Sequence, residues 1–164
     1  MNDYDRAKMP MPARSQKRTD GKTRRLISKL ADSLVGVTVA DDSKQKWAKM
    51  LNFSPVSLKA IDTLIKTVWA GERPSDQYFD TMVWAFGGYV AEIIQRNHEG
   101  VWRKSKNHYD FEFRRNGDST GFRVSPWAWA YKRFDEGDLL SSKYTALIKI
   151  ADRFYAGIAR KDQA

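Results

Sequence analysis

The apolar positions of this chain change period twice, and the changes mark its elements. Between Thr23 and Val35, Leu26, Ile27, Leu30 and Leu34 recur at helical spacing. That predicts an amphipathic helix, ended by Gly36 and the β-branched run at 37–39. Asp41-Asp42-Ser43 predicts the cap of a short helix holding Trp47, Met50 and Leu51. Ser54-Pro55 predicts a further start, with serine as N-cap and proline at the first helical position. Leu58, Ile61, Leu64, Ile65, Val68 and Trp69 then face inward as far as Gly71.

The stretch from Ser75 to Asn97 is apolar around most of its circumference. Tyr78, Met82, Ala85, Phe86, Tyr89 and Ile93 form one stripe. Phe79, Val83, Phe86, Val90 and Ile94 form a second beside it. This predicts the central, buried helix, with Ser75 as its cap and Gly100 as a left-handed stop. Gly87 and Gly88 each cost about 1 kcal/mol in a helix relative to alanine, so a packing reason is expected. Thr81, Ala85, Gly88 and Glu92 share one face. Three small residues there invite close approach by another element and aim it at a carboxylate.

After Gly100 the period becomes two. Tyr109, Phe111 and Phe113 alternate with Asp110, Glu112 and Arg114. With a turn at 116–118, Phe122 and Val124 beyond it, and Val101–Lys104 before it, this predicts a three-stranded antiparallel sheet. Ser125-Pro126 closes the sheet, and the segment WAWAYKR (127–133) fits either an extended run or a helix. From Leu139 to Arg160 the helical period returns, with Leu140, Tyr144, Leu147, Ile148, Ala151, Phe154, Tyr155 and Ile158 inward. The predicted fold is α+β: N-terminal helices, a central buried helix, a small three-stranded sheet and a C-terminal amphipathic helix. Residues 1–20 are expected to be a disordered basic arm and 21–164 a single domain.

Charge refines this picture. The net charge is +9, and residues 1–30 hold nine Lys and Arg against Asp3, Asp5 and Asp20. Such an arm binds phosphates or is merely solvated. Zero cysteines exclude disulfides and thiol chemistry. The charged start shows no leader and no membrane span is evident, so the expected location is the cytoplasm.

Little points to catalysis. There is no phosphate-binding glycine loop and no nucleophile elbow. The two histidines, His98 and His108, have no metal-ligand spacing, so neither metal nor cofactor is expected. Ser141 and Ser142 read as caps for the last helix. Glu92 reads as a rim glutamate paired with Arg96 or as a buried carboxylate. The expectation adopted is a structural latch with Trp102, its donors coming from Arg133, Lys132 or amides near Trp102. Trp127, Trp129, Tyr131, Lys132 and Arg133 are the candidate partner-binding residues, because aromatics and arginine dominate interface energetics. Their alternative role is to close the core over the sheet.

Four segments, FSPVSLKAID (53–62), GGYVAE (87–92), GVW (100–102) and PWAWAYKR (126–133), together resemble a family of small bacterial α+β domains of uncharacterised biochemistry. Ala91 stands where that family commonly has a second glycine. The resemblance implies a Glu92–Trp102–Lys132/Arg133 neighbourhood and no reaction. By analogy it implies an accessory or immunity-type role beside bacterial toxins. The expected function is therefore a non-enzymatic protein that occludes a partner protein, of immunity or inhibitor type. The alternative is a nucleic-acid-associated protein that uses Arg14, Lys17, Arg18, Lys22, Arg24 and Arg25. Oligomeric state is left open.

Overall fold

In a computed structural model, residues 13–40, 47, 49–69, 72–114 and 121–161 are described. The side chains described are those of 20–36, 47, 49–69, 72–114 and 121–156. The elements run α1 (Ala13–Ala40), α2 (Ser57–Trp69), α3 (Asp76–Asn97), β1 (Gly100–Lys104), β2 (Tyr109–Phe113), β3 (Arg123–Val124), α4 (Pro126–Asp135) and α5 (Leu140–Lys161). The fold is α+β, with a three-stranded antiparallel sheet in the order β1-β2-β3.

α3 is the axis. From Phe86 to Ile94 every residue is buried, as the doubled stripe requires. Its first half is more open, and Tyr78, expected inside, is 56% exposed. The two glycines serve different neighbours. A Cβ on Gly88 would lie 2.7 Å from Cβ of Leu30 in α1. A Cβ on Gly87 would lie 2.6 Å from Cδ1 of Trp127 in α4. Real Cβ atoms do not approach so closely, so both glycines are required by close packing, one on each flank of the helix.

Several boundaries differ from expectation. α1 begins at Ala13, inside the expected arm, and runs through Gly36 to Ala40. Gly36 is exposed with open space around it, so nothing steric forces the helix to stop there. Residues 1–12 of the arm, the expected cap at 41–43 and the turn at 116–118 lie outside the described residues. Ser75 makes no side-chain cap bond; its carbonyl accepts from the amides of Tyr78 and Phe79. Gly100 is not a helix stop but the first residue of β1, opposite Phe113, and a Cβ there would collide with the Glu112 carbonyl and the Phe111 ring. Proline at the first position and Ser125 Oγ, which accepts from the Ala128 amide at 3.4 Å, start α4 and resolve WAWAYKR as a helix.

The core gathers α1, α2, α3, the inner face of the sheet and α5. Ile27, Ile61, Phe86, Val90, Phe111 and Leu147 are among its buried members. Residues alternate in the strands as period two demands. Trp102, Phe111 and Phe113 are buried, while Arg103, Arg114 and Arg123 belong to the outer face. Val68 and Ile148, expected inside, are 40% and 37% exposed.

Candidate functional site: a basic surface formed by α1 and the outer sheet face

The surface begins where α1 lies along the free edge of β1. Asp20 Oδ1 accepts from the Trp102 amide at 2.8 Å, and Arg24 Nη2 donates to the Gly100 carbonyl at 2.7 Å. Asp20 and Arg24 are one helical turn apart and are themselves paired at 2.7 Å. Together they satisfy edge groups that another strand would otherwise seek. Asp20 therefore belongs to the fold and not to an arm. Arg24 is likewise a tie to β1, not an arm residue. Lys22, Arg25 and Lys29 occupy the opposite, solvent face of α1. Arg14, Lys17 and Arg18 fall within the helical backbone, with side chains outside those described.

The outer sheet face continues the charge. Glu112 sits at its centre with only 4% exposure. Its carboxylate accepts from Nε of Arg114 at 2.6 Å, Arg123 at 2.9 Å and Arg103 at 3.1 Å. Burial pushes the Glu112 carboxyl up, but hydrogen bonds and charge from Arg114 and Arg103 outweigh it, and its pKa is lowered. Three guanidiniums thus share one carboxylate among the described residues. Beside it, Nε2 of His108 meets Oδ1 of Asp110 at 3.1 Å.

Charge is distributed unevenly over the described residues. Within 20–36 and 100–124 there are nine Lys and Arg against four Asp and Glu. The rest, 47–99 and 125–156, has ten of each. The excess among the described residues lies on α1 and the sheet.

Glu92 is buried, but its bonds are not those expected of a latch to the sheet-to-helix segment: its partners come from α1 and from its own helix. Glu92 is 3% exposed. It accepts from Ser28 Oγ at 2.9 Å, from Arg96 Nε at 2.6 Å and from Gln95 Nε2. The indole of Trp102 donates to Gln95 Oε1 at 3.0 Å, so Trp102 joins through Gln95. Lys132 and Arg133 do not: Lys132 pairs with Glu136, and Arg133 with Asp62. The close-packing face of α3 receives α1, which brings Ser28 to the carboxylate. Glu92→Ala should destabilise the fold by roughly 1–3 kcal/mol, because three donors lose a buried acceptor. Glu92→Gln should cost less, since an amide oxygen still accepts. Equal thermal melts for both variants would contradict this role.

The candidate partner-binding residues disperse. Trp127 is buried against Trp84, Trp102 and Tyr109, with no hydrogen-bond partner for its indole nitrogen among the described residues. Arg133 is buried in its ion pair, and Trp129 is half-buried against the core. Only Tyr131 and Lys132 are exposed. A helix spreads these side chains around its axis, so one hot spot does not form.

Two further residues, Asp62 and Glu112, govern the structure without being candidate site residues in the sequence. Asp62 Oδ1 accepts from the Leu140 amide at 2.9 Å and from Arg133 Nε at 3.2 Å; Oδ2 accepts from the Ser141 amide at 3.0 Å. Asp62, not Ser141 or Ser142, meets the first amides of α5. Its signal was available: it is the one acid on the Leu58–Ile61–Ile65 face. Glu112 had no such signal, since outward alternation reads as solvent exposure.

A scan of protein-family models and searches of curated proteins and solved structures found no match to this chain. They therefore neither support nor oppose the resemblance carried by the four segments. Those segments do meet in pairs: Asp62 with Arg133, Gly87 with Trp127, and Glu92 with Trp102 through Gln95.

Nε2 of His98 lies 3.0 Å from the Tyr144 hydroxyl. Burial lowers the pKa of His98 against an opposing pull from Asp152, and burial pushes Tyr144 up to about 12. Among the described residues no group of three His, Asp or Glu could hold a metal, and no helix is long and apolar enough to cross a membrane.

Proposed function

We propose that this protein binds nucleic acid through phosphate contacts made by α1 and the outer face of its sheet. The observation that supports this reading is the charge asymmetry: the excess of cations lies on α1 and the sheet, while α2, α3, α4 and α5 together balance among the described residues. Lys22, Arg25 and Lys29 rise along α1, which is fastened to β1 by Asp20 and Arg24. Arg103, Arg114 and Arg123 extend the surface across the sheet. Arginines held by a carboxylate are pre-positioned donors for phosphate oxygens. Binding of this kind is independent of sequence and weakens steeply with salt.

The test is anisotropy of a labelled oligonucleotide at stepped salt, with wild type and Lys22→Glu/Arg25→Glu/Lys29→Glu compared. Wild type should bind at about 10⁻⁴–10⁻⁶ M near physiological salt. The variant should fold normally, since all three side chains point to solvent, and its logarithmic salt slope should fall by about 3. Absent or salt-independent binding by wild type would defeat the reading.

A protein partner is the second reading, favoured by apolar exposure elsewhere. Val68, Trp69, Pro74, Tyr78 and Met82 line a groove of about 530 Å³ between the end of α2 and the start of α3. Tyr78 and Val68 are exposed there. Retention of one defined protein by the triple variant, insensitive to salt, would favour an occluding or immunity-type role.

A further inference from the structure

We infer that the nucleic acid this surface fits is a duplex, held by its phosphates without regard to sequence, and not an unpaired strand; the inference rests on the binding reading above. The two kinds of target ask for different side chains. Unpaired strands are gripped by rings that stack on splayed bases, commonly rings on the open face of a sheet. A duplex hides its base faces and offers a regular array of phosphates.

The register of this sheet decides which kind of surface it presents. Trp102 lies opposite Phe111, Lys104 opposite Tyr109 and Phe111 opposite Val124, all on the core side. Phe113 and Phe122 stack at 4.4 Å on that same side, and Phe122 meets Phe154 of α5. The outer face presents Val101, Arg103, Asp110, Glu112 and Arg123. It carries no ring.

Among the described residues the rest of the chain supplies none either. The sequence holds 6 Trp, 7 Tyr and 8 Phe. Of the rings described, only Tyr78 and Tyr131 are exposed, and both belong to the α3–α4 side: Tyr78 lines the groove with α2, and Tyr131 packs edge-on against Phe79 at 5.2 Å. Tyr4 is the one aromatic residue among those not described. A basic surface without Trp, Tyr or Phe is suited to phosphates.

Its geometry suits a rigid partner. With a rise of about 1.5 Å per residue, Lys22, Arg25 and Lys29 span roughly 10 Å of α1. One strand of a duplex places about three phosphates along that axial distance. Glu112 fixes three guanidiniums at their Nε atoms, so the sheet's charges hold a set pattern and do not follow a flexible strand. The bonds from Asp20 and Arg24 hold helix and sheet in one fixed relation.

The experiment uses the full chain and five labelled probes of equal length: two unrelated DNA duplexes, an RNA duplex and the separated strands of one DNA duplex. Retention on immobilised heparin is measured in parallel. Either duplex, DNA or RNA, should bind at least about tenfold more tightly than the strands at the same salt, and the two DNA sequences should agree within about twofold. Arg123→Gln should lower the salt slope for duplex by about 1 with the fold unchanged. Strands bound as tightly as duplex, or a tenfold preference for one DNA sequence, would overturn the duplex inference while leaving nucleic-acid binding intact. Failure to retain heparin or any of the five probes would instead overturn the binding reading itself.

Discussion

Asp62→Ala is expected to destabilise the protein by about 3–5 kcal/mol, the range for leaving one member of a buried ion pair uncompensated. Asp62 and Arg133 have side chains only 7% and 10% exposed. Removing the carboxylate strands the guanidinium, whose Nη2 retains only the Asp62 carbonyl at 3.0 Å. It also strips the amides of Leu140 and Ser141 of their acceptors, at the end of α5 where the helix dipole favours an anion. Asp62 thereby ties α2, α4 and α5 at one point. Asp62→Ala/Arg133→Met should recover part of the loss, because the charge left without a partner is then gone. Denaturant melts with unchanged m-values read both effects. A loss below about 1 kcal/mol for the single variant would mean that Arg133 reaches water instead of remaining stranded.

How far the sequence foretold this arrangement depends on the range of the forces involved. The stripes of Phe79, Phe86, Val90 and Ile94 foretold α3, because a helix's period is local and its burial follows from it. Tyr109, Phe111 and Phe113 foretold β2 for the same reason. Gly87 and Gly88 signalled close packing, and both flanks are indeed too tight for a Cβ. The partners, however, are set by tertiary packing. The face holding Gly88 and Glu92 receives α1, an element the pattern did not assign to it. α1 itself begins at Ala13, where charge had suggested an arm; helix propensity of Arg, Lys and Gln is good and does not require an apolar stripe at every turn.

The candidate site was legible only as an excess of charge. Lys22 and Arg25 were named in the chain, but as parts of a tail. Their role in a fixed surface depends on Asp20 and Arg24 bonding to β1, which joins residues 82 and 76 positions apart. Arg103, Arg114 and Arg123 converge on Glu112 because of strand register and alternation, and the burial of Glu112 by its own counter-ions is not a property of any local pattern. In WAWAYKR the ambiguity between strand and helix was avoidable. Ser125-Pro126 is itself a helix start signal, with proline at the first helical position, and reading it as such would have dispersed the rings of Trp127, Trp129 and Tyr131 around a helix.

Phe86→Ala should also cost about 3–5 kcal/mol, and it tests the orientation of the axial helix directly. Phe86 is 2% exposed. Its ring meets Trp69 of α2 edge-on at 6.1 Å and Phe134 of α4 at 5.4 Å, and Phe134 in turn meets Trp69 at 5.4 Å. The three rings join α2, α3 and α4 in one cluster, so truncation loses both buried area and edge-to-face contacts. Collapse into the space is resisted on the neighbouring side of α3, where Gly87 already lies tight against Trp127. Phe86→Leu should cost less, because it keeps most of the apolar volume. Tyr78→Ala, on the exposed part of the same helix, should change stability by no more than about 0.5 kcal/mol. Parallel melts of the three variants discriminate sharply: comparable losses for Phe86→Ala and Tyr78→Ala would mean that α3 is rotated from the orientation described, with Phe86 turned out of the cluster that joins α2 to α4.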